Sequence, residues 1–203
     1  MPMTHSTTAD AVLCLASTSP RRRELLAQIG VPHTVAAAHV DEALRPSEAP
    51  GDYVARLARL KATTVRQRGE SLPVLAADTT VVLGDAVYGK PSGRADALAM
   101  LASLAGTTHQ VLTAVALASA QGVALRVNSS SVRFRNIERA EIEAYWDTGE
   151  PRDKAGGYAI QGYGAAFVAA LSGSYSGVMG LPLFETVELL REVGIDYWIG
   201  GAR

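Results

Sequence analysis

Helical and strand patterns alternate at both ends of the chain around a hairpin-rich middle, which predicts an α/β fold with a mixed central sheet and flanking helices. The apolar runs are short and bounded by Ser, Thr, Pro and Gly clusters, as buried strands are. The segments between them carry helix start and stop signals, which argues against a sandwich. No internal repeat, coiled coil or low-complexity linker breaks the 203 residues. Residues 11–203 therefore read as a single domain behind a disordered arm over residues 1–10.

The first apolar run, Ala11 to Ala16, reads as a strand. Ser17-Thr-Ser-Pro20 leads into a helix over 20–29, with Ser19 suited to cap it, Pro20 to its first position and Gly30 to its end. Arg21 and Arg22 then fall in its first turn. Thr34 to Val40 reads as a second strand before Asp41-Glu42, and 46–52 as a loop. Tyr53 to Gln67 has helical spacing, with Val54, Leu57, Leu60 and Val65 largely on one face. Leu72 to Ala77 is a further strand ending at Asp78. Thr79–Leu83 and Ala86–Tyr88, joined by Gly84-Asp85, form a tight hairpin. Helices over 96–104, 138–147 and 183–193 and strands over 110–117, 123–134 and 165–171 complete the order.

Composition narrows the function classes. With 48% hydrophobic and 19% charged residues the chain is ordinary globular protein. Lys+Arg and Asp+Glu number 19 and 20, a net charge of -1, without the broad basic footprint of a duplex-binding protein, so no nucleic-acid partner is expected. A small anionic substrate stays open, because a local group of cations binds phosphate without changing the total. Cys14 is the sole cysteine, which excludes an intramolecular disulfide and a multi-cysteine zinc site; its apolar neighbours predict a buried, inert thiol. His5, His33, His39 and His109 lack metal-ligand spacing. The first ten residues are polar and do not read as a signal peptide. No stretch approaches the roughly 18 apolar residues that span a bilayer. A soluble, cytoplasmic protein without a membrane partner is expected.

Several segments could carry chemistry. A helix N-terminus favours anions through its unpaired N–H groups. Arginines in that first turn oppose the helix dipole unless an anion compensates. A phosphate site and a solvated basic helix start are evenly matched there. Asp78, at the end of an apolar strand, suits a divalent metal or an activated water. A carboxylate that merely bonds backbone is the commoner explanation of such a residue. Gly84 to Lys90 fits the start of a phosphate-loop pattern, but Pro91 replaces the metal-binding Ser/Thr and the interior alternates like a strand, so a P-loop is rejected. Lys90 is instead a cation at the end of a hairpin arm. Glu42 could offer a metal ligand, and Lys61 sits in an apolar and basic helix where solvated lysines are the default. The serines around Ser172-Gly-Ser-Tyr-Ser-Gly177 do not match a nucleophile elbow, because Tyr175 occupies the centre of the pattern. Gln161 offers a donor and an acceptor, the pair that reading a base edge requires, beside glycines that allow close approach.

Taken in order, these segments resemble the Maf family along almost the whole chain. The motifs are Leu15-Ala-Ser-Thr-Ser-Pro-Arg-Arg-Arg-Glu-Leu-Leu26, Asp41-Glu42, Leu57-Ala-Arg-Leu-Lys-Ala62, Ala77-Asp-Thr79, Gly89-Lys-Pro91, Asp153-Lys-Ala-Gly156, Ile160-Gln-Gly162 and Gly180-Leu-Pro-Leu183. The resemblance implies an α/β fold of the Maf and inosine-triphosphatase kind, with two lobes around a cleft. It implies hydrolysis of nucleoside triphosphates between the α and β phosphates with a divalent cation, Mg2+ or Mn2+. Asp78 would be the general base or a metal-site carboxylate, with Glu42 helping to bind metal. Arg21, Lys61 and Lys90 would hold phosphates with Ser17 and Arg22 nearby, and Thr79 and Gln161 would shape specificity.

The Asp-Lys-Ala-Gly and Ile-Gln-Gly strings resemble the branch acting on dTTP and UTP. A purine or 7-methyl-GTP pyrophosphatase is the alternative enzyme, and a non-catalytic nucleotide-binding regulator of septum formation the alternative from another class. The resemblance is also compatible with a homodimer. Thr18, Thr80, Ala159 and Ser174-Tyr-Ser-Gly177 depart from the usual family pattern.

Overall fold

A computed structural model describes residues 11–198; the arm expected over 1–10, with His5, lies outside the described residues. Among the described residues, seven strands form one mixed sheet in the order β2-β1-β3-β5-β6-β7, with β4 on β3. They are β1 (Leu13–Leu15), β2 (His33–Val35), β3 (Val74–Leu83), β4 (Ala86–Tyr88), β5 (Thr108–Ser119), β6 (Gly122–Phe134) and β7 (Val168–Ser172). The helices are α1 (Pro20–Gln28), α2 (Pro50–Gln67), α3 (Arg94–Leu104), α4 (Arg139–Asp147), α5 (Tyr175–Met179) and α6 (Leu183–Glu192). The predicted class, α/β with a mixed sheet and flanking helices, is what forms.

Alternation along the central strands divides the core. Leu13, Leu15, Leu75, Ala77, Val115 and Leu117 pack against α1 and α6. Cys14, Ala16, Val74, Ala76, Ala114, Ala116 and Ala118 turn to the other face, against Val54, Ala58, Ala62 and Val65 of α2. Alanines dominate that second face, so α2 can lie close to the sheet. A third cluster gathers Leu101, Leu104, Phe134, Ile142, Tyr158 and Phe167 around α3 and α4. Cys14 is buried, and desolvation raises its thiol pKa, as an inert core cysteine requires.

The structure departs from the sequence reading at several ends. The strand expected over 34–40 stops at Val35, because β1, its only partner among the described residues, ends at Leu15; the last link is the Ala36 N–H to the Leu15 carbonyl, 3.0 Å. The loop expected over 46–52 already turns helical at Pro50, which takes the first helical position of α2. Ser19 precedes α1 but makes no side-chain cap; instead its N–H donates to Ser17 Oγ at 3.2 Å. The strand expected from Ala165 begins at Val168, after a 3-10 turn over Tyr163–Phe167. The five-residue α5 had no helical period long enough to detect.

The most consequential departure is at Asp78, which does not end a strand. β3 continues through it for ten residues. Along one edge β3 pairs with β5 from Val74 to Val82. Along the other it meets β1 only as far as Leu75, and β4 only from Val81. Among the described residues, 76–80 are thus left without a strand neighbour on that edge. Asp78 lies just past the carboxyl end of β1, so the sheet-edge placement holds for the neighbouring strand rather than for its own.

His109 on β5 is 1% exposed, with Nε2 2.8 Å from the Tyr158 hydroxyl and its ring edge-on to Phe134 at 4.9 Å. Burial pushes its pKa down to about 4, from an ordinary 6.5. A depressed folded-state pKa gives stability that is complete above the unfolded value and lost as pH falls through the folded one. Between pH 7 and pH 4 this residue alone should lower the unfolding free energy by about 3 kcal/mol. Denaturant unfolding of the parent and His109→Gln across that range checks it. Parallel pH profiles for the two proteins would remove His109 from the account.

Candidate active site

A cleft of about 640 Å³ opens at the gap between β1 and β4, and all nine residues singled out from the sequence line it. The same alternation that divides the core sends successive β3 side chains to opposite sides of the sheet. Asp78 follows Val74 and Ala76 toward α2, whereas Thr79 follows Leu75 and Ala77 toward α1 and α5.

Toward α2, Asp78 meets Lys61. The lysine falls in the stripe Val54, Leu57, Ala58, Lys61, Ala62, Val65 that α2 buries against the sheet, so it is not the solvated side chain that is usual on such helices. Its ammonium lies 2.6 Å from Asp78 Oδ1 and 2.5 Å from Glu42 Oε1. Desolvation raises the Asp78 pKa, against the pull of Lys61. Burial acts on Glu42 in the same sense, but Lys61 outweighs it and holds that carboxyl below its ordinary value, with help from Lys90 and Arg22. The loop bearing Glu42 is pinned by α2: Tyr53 donates to the Glu42 carbonyl at 2.9 Å, and Arg56 pairs with Glu48 at 2.5 Å.

Toward α1, Arg22 ties three segments together. Its Nε donates to the Gly180 carbonyl at 2.7 Å, one Nη to Ser17 Oγ at 3.3 Å and the other to Thr79 Oγ1 at 3.3 Å. Thr79 Oγ1 is 3.0 Å from Thr113 Oγ1, which is itself 2.8 Å from the Gly177 carbonyl. That carbonyl can only accept, so the Thr113 proton goes to it and Thr79 donates to Thr113. The protons then run one way, from Arg22 through both threonines to α5. Gly180 has φ 117, and a Cβ there would stand 3.4 Å from Arg22 Nε, so glycine suits both the backbone and the contact.

The first turn of α1 has no side-chain cap and no acidic residue, leaving its N–H groups to face the cleft beside Arg21. Arg21 reaches Asp153 at 3.6 Å, but Asp153 is 62% exposed, a loose pair that an anion could replace. Lys90 and Gln161 are exposed at the lip. Asp153, Lys154, Tyr158 and Thr113 also belong to this neighbourhood but were given no role from the sequence. Asp153 and Lys154 stood within a charged, Gly-rich string that could have pointed to them. Thr113, in mid-strand, carried no signal.

Glu42 and Asp78 present hard carboxylate oxygens of the kind that Mg2+ or Mn2+ takes. Among the described residues no group of three or more His, Cys, Asp or Glu is placed to hold a metal ion. A cation held here would draw its other ligands from phosphate and water, which is usual for Mg2+. Among the described residues no helix is long and apolar enough to cross a membrane.

A family model described as Maf-like protein matches residues 12–193. A dTTP/UTP pyrophosphatase of Hahella chejuensis is 54% identical over 189 residues, covering 92% of this chain and 94% of that protein. One from Alkalilimnicola ehrlichii is 56% identical, covering 90% and 93%. Among solved structures, the Staphylococcus aureus Ham1 protein aligns at 13% identity with a TM-score of 0.43, over 60% of this chain and 71% of that one.

Proposed function

The chain belongs to the Maf family, and on that footing we propose that it is a nucleoside triphosphate pyrophosphatase that hydrolyses dTTP and UTP to the monophosphate and pyrophosphate. The observation that carries this reading is the Glu42–Lys61–Asp78 cluster, set in the same cleft as the uncapped start of α1. Hydrolysis at the α-phosphorus needs an oriented water, neutralised phosphate oxygens and a stabilised leaving group. Asp78 is suited to orient the water and take its proton, since burial raises its basicity while the Lys61 ammonium at 2.6 Å favours its charged form. The N–H groups of α1 and the side chains of Arg21 and Lys90 are suited to hold the phosphates. A divalent cation held by Glu42 and Asp78 would supply charge neutralisation at the same oxygens. Water bonds to the α-phosphorus, the α–β bridging bond breaks, and pyrophosphate leaves.

Gln161 is proposed to read the base. Uracil and thymine set a carbonyl acceptor beside an imide N–H donor, and a glutamine amide complements both. A base that leaves such a pair unmatched is rejected. Pyrophosphate release across dTTP, UTP, GTP and 7-methyl-GTP tests the reading, with the first two expected to be preferred. Gln161→Ala should lower the dTTP-over-GTP ratio of kcat/KM by about tenfold, the worth of one matched hydrogen bond. A preference for 7-methyl-GTP in the parent would overturn the substrate class, and no pyrophosphate from any triphosphate would overturn the activity.

A further inference from the structure

Gln161 lies on a segment, residues 159–164, that belongs to no strand and is helical only where the 3-10 turn begins at Tyr163. Besides the turn bond from the Gly162 N–H to the Ala159 carbonyl, 3.2 Å, its backbone is held by one carboxylate and one phenol. Glu150 Oε2 accepts from the Tyr163 N–H at 3.0 Å, and Oε1 accepts from the Gly164 N–H at 3.0 Å and from the Tyr145 hydroxyl at 2.7 Å. The Tyr145 oxygen in turn accepts from the Ala159 N–H at 3.1 Å. Three backbone donors, on both sides of Gln161, therefore end on this pair. The fit is close: a Cβ on Gly162 would come within 2.0 Å of Glu150 Oε2. Tyr145 is 4% exposed and edge-on to Phe167 at 5.0 Å, so the phenol is anchored in the core.

We propose that Glu150 is a specificity-positioning residue: its carboxylate fixes the 159–164 segment and thereby the place of the Gln161 amide in the cleft. The inference rests on the reading of Gln161 as the base-contacting residue. Hydrogen bonds to an ionised acceptor are roughly twice as strong as neutral ones, so one carboxylate can hold a segment that has no ladder of its own. Glutamine at this position keeps the volume and one carbonyl oxygen. Its NH2 must then face a donor, either the Tyr163 N–H or the Gly164 N–H. The segment is released at one end while Asp78, Lys61 and the phosphate-facing cations are untouched.

The test measures kcat and KM for dTTP and GTP in the parent, Glu150→Gln, Gln161→Ala and the double variant. Glu150→Gln should lower the dTTP-over-GTP ratio of kcat/KM by about tenfold, as an ångström-scale misplacement does. The loss should enter through KM for dTTP, with kcat for dTTP held within about threefold. In the Gln161→Ala background it should cause no further loss, because it acts through that amide. Gly162→Ala keeps every hydrogen-bonding group and displaces the carboxylate sterically. It should reproduce the loss, and it answers the question should Glu150→Gln fold poorly. If Gln161→Ala lowers the ratio and neither Glu150→Gln nor Gly162→Ala does, the positioning role is overturned while the reading of Gln161 stands. Losses that multiply in the double variant also overturn it. If Gln161→Ala leaves the ratio unchanged, the base-reading role itself fails, and the positioning role with it.

Discussion

Asp78→Asn is expected to lower dTTP turnover by about 10²–10⁴-fold, the usual contribution of a positioned general base. Asparagine matches the aspartate in shape and can still accept a hydrogen bond, but it can neither take a proton nor hold a cation strongly. The fold should survive, because Lys61 keeps its contact with Glu42 at 2.5 Å and is not left as an orphan charge. Removing the carboxylate also relieves the desolvation that raises its pKa. Steady-state pyrophosphate release and thermal unfolding together make the measurement. A variant with a normal melting transition and near-parental kcat would take Asp78 out of the chemistry.

Lys61→Met should have the second-largest effect, and of a different kind. Methionine fills the α2 stripe but removes the ammonium that lies 2.6 Å from Asp78, whose side chain is 10% exposed. Breaking a buried pair from one side costs about 3–5 kcal/mol, since the remaining charge has lost its partner. Activity should fall by about 10²–10³-fold, as when one preorganised electrostatic group is removed from a site. The double variant Lys61→Met/Asp78→Asn should recover most of the lost stability, because no unpaired buried charge remains, while activity stays lost. Recovery of neither property would mean that Lys61 packs rather than compensates. Full activity in Lys61→Met would mean that the phosphates are neutralised elsewhere.

Much of this arrangement is written locally in the residue order. The strand–loop–helix unit from Leu13 to Gln28 follows from an apolar triplet, a Pro suited to a first helical turn and a closing Gly, all within reach of one another. The stripe that buries Lys61 can be read from α2 alone, as positions 54, 57, 58, 61, 62 and 65. Treating lysine as solvated by default hides it, because residue type then overrides position. The nine candidate residues were legible as motifs, and their common order along the chain carried the family resemblance.

Periodicity could not supply the pairings, since they join residues far apart in the chain. The early end of β2 follows from the shortness of β1, and the open edge of β3 from where β1 stops and β4 begins. An unbroken apolar run into Asp78 looks the same whether a strand ends there or continues past a missing neighbour. Thr113 joins the site only because β5 lies in register with β3, which sets it opposite Thr79. Glu150 and Tyr145 reach Ala159, Tyr163 and Gly164 across a fold of the chain that no local pattern announces. Residue order determined which groups could bind phosphate, metal and base. Strand register and the unpaired stretch of β3 determined that they meet, because a sheet places side chains by partner and alternation rather than by distance along the chain.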